Sequence, residues 1–131
     1  MQIGIPKEIK PMEGRVALVP EAAAELVRAG HRVLLQESAG EASGFEDEAY
    51  ERHGVATVPD AETLYGESRL IVKVKEPVGP ELALLRRDHL LFSFLHLAAE
   101  PELTRRLCDI GLTAIGFETV EVDGTLPILA P

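Results

Sequence analysis

Apolar positions along this chain alternate between two rhythms. Short, largely β-branched or leucine-rich runs occupy residues 2–5, 33–35, 55–58, 70–74, 89–95 and 113–117, and they predict six strands. Between them the spacing is helical. In residues 21–29 the apolar positions 22, 23, 26 and 27 share one face, with Gly30 as a stop. Residues 46–53 form an acidic segment closed by Gly54, and Asp60 is placed to N-cap a helix through Tyr65. A further helix is expected near residues 81–87. After Pro101, Leu103, Leu107 and Ile110 recur at i, i+4 and i+7, with Gly111 as the stop. Residues 7–14 and 39–44 carry the turn formers of loops, and Asp123-Gly124 marks a turn. This βαβ order predicts an α/β fold, a mainly parallel, doubly wound sheet of flavodoxin- or Rossmann-like type with helices on both faces.

Three of the strand-like runs stop at a residue able to do chemistry: 70–74 at Lys75, 89–95 at His96 and 113–117 at Glu118. Lys75 to His96 is 21 residues and His96 to Glu118 is 22, about one strand plus one crossover helix. Open parallel sheets bind ligands at the carboxyl ends of their strands. A cation, an imidazole and a carboxylate in that register mark a candidate site.

Composition narrows the classes. The chain has 131 residues, enough for one domain with a real core, and its apolar (46%) and charged (27%) shares are those of a soluble globular protein. A net charge of −9 with scattered Lys and Arg leaves no basic footprint for nucleic acid. No apolar run approaches the roughly 20 residues needed to span a bilayer, so no membrane association is expected. The start, Met1-Gln2-Ile3-Gly4-Ile5-Pro6-Lys7, is unlike a secretory leader. Cys108 is the single cysteine, which excludes intrachain disulfides and CxxC metal sites; it sits beside Leu107, where packing explains it. A cytoplasmic protein is expected. Asn is absent and the only Gln residues are Gln2 and Gln36, as in a thermophile's protein, although a GC-rich genome accounts equally for the Arg and Ala bias.

Each candidate residue carries a plainer alternative. Lys73 and Lys75 fall on one face of a strand, and an ammonium at a strand end can bind a carboxylate or polarise a carbonyl. The same pattern fits a solvated lysine paired with Glu76. His96 suits general acid–base work, yet a hydrogen-bonded core histidine reads the same way. His31 and His53 flank helix-ending glycines and His89 begins a strand, so these three are not favoured. Arg15 can grip a carboxylate through two parallel hydrogen bonds, which a lysine cannot do. Glu13 and Glu118 can orient these cations or simply pair with them. Neither a G-x-G-x-x-G run nor a P-loop occurs.

Several blocks together carry a resemblance. Ile3-Gly4-Ile5-Pro6-Lys7-Glu8-Ile9-Lys10 and Glu13-Gly14-Arg15-Val16-Ala17-Leu18-Val19-Pro20 open it. Gly40-Glu41-Ala42-Ser43-Gly44-Phe45-Glu46-Asp47-Glu48, Lys73-Val74-Lys75-Glu76-Pro77, Leu95-His96-Leu97-Ala98-Ala99 and Phe117-Glu118-Thr119-Val120 follow in order. The whole chain thereby resembles the N-terminal part of alanine dehydrogenases. The α subunit of proton-translocating transhydrogenase has a similar start without the same Lys-Glu-Pro and Leu-His-Leu-Ala-Ala pair, and saccharopine-type dehydrogenases keep a lysine and histidine in other settings.

The resemblance implies NAD-linked, reversible oxidative deamination of L-alanine to pyruvate and ammonia. It implies that Arg15 holds the substrate carboxylate, that Lys75 binds the carboxylate or keto oxygen, and that His96 moves the proton on the substrate oxygen. Glu13 and Glu118 would support them. In the family, a segment like residues 126–131 continues into a Rossmann nucleotide domain, after which the chain returns to complete the first domain. Residues 1–131 therefore correspond to the substrate-binding domain without the nucleotide domain. The expectations are no NAD binding and no hydride transfer by this chain alone, a homodimer through the uncovered apolar face, and a hexameric parent. The competing reading is a free-standing small-ligand or regulatory module that has lost catalysis.

Overall fold

The computed structural model describes residues Met1–Ile128; the end of the 126–131 segment lies outside the described residues. Six parallel strands, β1 (Gln2–Ile5), β2 (Arg32–Gln36), β3 (Ala56–Val58), β4 (Leu70–Val72), β5 (Leu90–Ser93) and β6 (Thr113–Gly116), form one sheet in the order β3-β2-β1-β4-β5-β6. Five α-helices link them: α1 (Pro20–Arg28), α2 (Asp47–Glu51), α3 (Ala61–Glu67), α4 (Pro80–Leu84) and α5 (Pro101–Ile110). This is the doubly wound order read from the alternation of elements.

Helices cover both faces, and β2 shows how. Val33 and Leu35 point into a cluster with Ala23 of α1 and Tyr50 of α2. Leu34 points the opposite way, into the cluster that also holds Leu64 of α3 and Leu103 and Leu107 of α5. Period-2 alternation inside an unbroken apolar run feeds two cores at once. Local chemistry sets the helix ends: Pro20 opens α1, Asp60 accepts the Thr63 N–H at 2.8 Å, and Gly111 closes α5 at φ 82°. Gly4 of the central strand is pressed against α3. A Cβ there would fall 2.1 Å from Ser68 Oγ.

Two strands are shorter than their apolar runs. β4 stops at Val72 and β5 at Ser93. The two runs exchange one more pair of backbone bonds, Lys73 N–H to the Phe92 carbonyl at 3.1 Å and Phe94 N–H to the Val74 carbonyl at 3.0 Å, while the amides of Val74, Lys75, Leu95 and His96 bond to side-chain carboxylates. The helix expected over 81–87 spans Pro80–Leu84, and the acidic helix spans Asp47–Glu51. Cys108 is exposed. One position past the inward-facing Leu107, it has turned out of the core, so packing does not explain it. Among the described residues no helix is long and apolar enough to cross a membrane.

Candidate functional site

The strand order reverses between β1 and β4, and ligand crevices of such sheets open there. The loop leaving β1 crosses this point. Its Glu8 is 8% exposed and accepts the N–H of Val74 at 2.9 Å, the N–H of Lys75 at 3.1 Å and the ammonium of Lys73 at 3.1 Å. Lys73 and Lys75 do not share an environment, since the strand has ended before either. Lys73 is 1% exposed, close to Glu8 and Glu81, while Lys75 is partly exposed. Glu76 pairs with Lys10 of the β1 loop, not with Lys75. Burial raises the Glu81 carboxyl above its usual range.

Arg15 stands on the same loop and is locked to Glu13. Its Nε donates to Glu13 Oε2 at 2.9 Å and its Nη2 to Oε1 at 2.8 Å, while its backbone N–H donates to Oε2 at 2.9 Å. The guanidinium holds the Glu13 carboxyl down at about 2, and the charge of Lys75 acts in the same direction. Only one edge of the fork is used. The Nη1 side remains for a second carboxylate, and the Arg15 side chain is 60% exposed.

His96 is exposed just beyond β5, in the left-handed region at φ 53° and ψ 38°. Few residues other than glycine adopt this conformation, and such backbone is found at functional sites. Glu118 holds it there. The carboxylate accepts the N–H of His96 at 3.2 Å and of Leu95 at 3.2 and 3.4 Å. Gly116 clears the way, because a Cβ there would come within 2.7 Å of Glu118 Oε1. The imidazole stacks on Phe94 at 6.2 Å, and Phe94 meets Phe117 edge-on at 4.9 Å.

A cleft of about 440 Å³ joins these parts. Arg15 lines it together with Val74, Phe94 and Phe117. Lys75 and His96 do not line it; Lys75 follows Val74 in the chain, and the His96 ring stacks on Phe94. The structure therefore gathers the three candidate residues at one end of the sheet, with Glu13 and Glu118 each holding one of them. A wider cleft of about 580 Å³ between Lys10, Glu76 and Arg106 contains none of the five. His89 lies apart: its Nδ1 accepts the Arg86 N–H at 2.8 Å, its Nε2 is 2.8 Å from the Tyr65 carbonyl, and burial lowers its pKa. Sequence reasoning missed Glu8 as a site residue. The one available signal was its place just past the first strand, which this fold puts at the crevice.

The crevice does not suit a dinucleotide diphosphate. In this strand order the first βα turn binds diphosphate through glycine-rich backbone at a helix N-terminus. Here that turn begins Pro6-Lys7-Glu8, and it brings the carboxylate of Glu8 to the crevice, where it accepts the Val74 and Lys75 N–H groups beyond β4. Among the described residues no group of three or more His, Cys, Asp or Glu can hold a metal ion.

Comparison with known proteins places the chain in a family. The family model for the alanine dehydrogenase/PNT N-terminal domain matches residues 4–131. An alanine dehydrogenase of Bacillus subtilis is 49% identical over the whole chain, which covers 34% of that protein. One from Mycobacterium tuberculosis is 46% identical, with 36% covered. Among solved structures, an L-alanine dehydrogenase superposes on 98% of this chain and 36% of its own, with a TM-score of 0.95 and 48% identity. A transhydrogenase from Sinorhizobium meliloti gives 0.83 at 29% identity, over 90% of this chain and 34% of its own. The chain thus spans about a third of the length of these relatives. From residue blocks, strand order and superposition alike, the chain belongs to the alanine dehydrogenase/PNT N-terminal domain family.

Proposed function

We propose that this chain is the substrate-binding domain of an alanine dehydrogenase, and that the complete protein interconverts L-alanine with pyruvate and ammonia using NAD. The observation that carries the reading is the Arg15 fork, locked to Glu13 on one edge and open on the other beside a cleft with an apolar wall. Arg15 receives the carboxylate of the keto acid through the open edge. Lys75 adds the second positive charge, on the carboxylate or the keto oxygen. His96 exchanges a proton with that oxygen, and Glu118 keeps its backbone in place. Two cations orient a small keto acid, and one imidazole moves its proton.

NAD enters this reading as the cofactor of the complete protein, held outside the crevice described above. Nothing in these residues positions a nicotinamide, so the chain alone is not expected to transfer hydride. A cytoplasmic setting, self-association of this chain as a homodimer and a hexameric complete protein belong to the same reading.

Pyruvate titrated into the chain, followed by backbone amide shifts, tests it. Saturable shifts at Val74, Lys75 and His96, lost in Arg15→Ala and kept in His96→Ala, support a carboxylate grip at Arg15. Binding that ignores Arg15→Ala refutes the assignment, and NADH oxidation by the chain with pyruvate and ammonium refutes the predicted inactivity.

A further inference from the structure

The proposed chemistry leaves the charges beneath the site unused. Glu8, Lys73 and Glu81 are each less than a tenth exposed. The Lys73 ammonium lies 3.1 Å from Glu8 and 3.4 Å from Glu81, and Tyr65 donates to Glu81 at 3.4 Å. Burying such a cluster is costly, and apolar residues of similar volume often hold a core equally well. What apolar residues cannot do is bond to the backbone above. Glu8 accepts the Lys75 N–H at 3.1 Å, and Lys73 donates to the Lys75 carbonyl at 2.7 Å. The ion pair thus takes up both backbone polar groups of Lys75, a residue that lies outside any strand. Glu8 is also on the loop that carries Glu13 and Arg15.

We propose that Glu8, acting through its buried ion pair with Lys73, is a positioning residue that sets Lys75 relative to Arg15. The two cations then meet one small 2-oxo carboxylate in a fixed geometry. This rests on the substrate reading given above. A misplaced cation weakens the grip on a rigid small ligand far more than it disturbs the fold.

The test uses the 131-residue chain, amide hydrogen exchange and pyruvate titration. In the wild type the Lys75 amide should exchange slowly although it pairs with no strand; rapid exchange there overturns the proposal before any variant is made. Glu8→Gln/Lys73→Met/Glu81→Gln removes all three charges while keeping volume and one acceptor oxygen at each former carboxylate. Its Ile71 and Leu91 amides should stay protected, while Lys75 exchanges about tenfold faster and pyruvate binds about tenfold more weakly. A folded triple variant with unchanged pyruvate affinity overturns the proposal and leaves the ion pair a purely structural element. A wild type with a protected Lys75 amide and no response to pyruvate overturns the substrate reading itself, and with it the purpose assigned to Glu8.

Discussion

Glu118 accepts the backbone N–H of His96 at 3.2 Å, and His96 stands at φ 53°. The carboxylate holds the imidazole's main chain, not its ring, so it acts on where the ring points. Glu118→Ala should cost about 1–2 kcal/mol in urea unfolding, because two backbone donors lose their acceptor. The His96 ring should also leave its stack on Phe94, read as a loss of its ring-current shift. An unchanged His96 environment in the variant contradicts this role.

The Glu13 carboxyl should titrate near 2, well below the ordinary glutamate range, because Arg15 clamps it. Its folded pKa is depressed, so its contribution to stability is present above the unfolded value of about 4.3 and fades as pH falls through about 2. Glu13→Gln should flatten that part of the stability–pH curve. Carbon-detected titration of the carboxyl checks the value directly.

Arg15→Lys keeps the charge and removes the fork. A lysine cannot bond Glu13 with one edge and a ligand with the other, so pyruvate affinity should fall about tenfold or more. Equal affinity in the lysine variant would mean that a point charge suffices there.

Gly4→Ala places a methyl group 2.1 Å from Ser68 Oγ, between the central strand and α3. A destabilisation of about 1–3 kcal/mol is expected from such overpacking. Thermal melting of the variant reads it, and adding Ser68→Ala should restore part of the loss. That rescue separates a clash from a loss of strand propensity.

The six strands were legible because each is a run of apolar residues between turn formers, and the alternation with helices leaves few arrangements other than a parallel doubly wound sheet. Their ends were less so. Hydrophobic runs record burial, whereas ladders record pairing; the two part company from Val74 and Leu95 onward, where Glu8 and Glu118 accept the backbone N–H groups. The register of Lys75, His96 and Glu118 placed the three at one end of the sheet, where the structure has them. Arg15 was a candidate on its chemistry alone, outside that spacing, and the family resemblance assigned it a role. Glu8 was invisible locally, since its partner Val74 lies 66 positions away and nothing near Pro6 marks a buried carboxylate. Lys73 was misjudged for the same reason: alternation puts it beside Lys75, but the strand has already ended.

The carboxylate of Glu8 has one more consequence, for what this domain could become. Doubly wound sheets usually leave the first turn at the point of strand reversal open for a nucleotide, and here the protein supplies its own anion. Clearing that seat for a diphosphate means deleting the group that tethers Lys75. A single copy of this fold that keeps Glu8 to hold Lys75 therefore has no room at that turn for a dinucleotide as well.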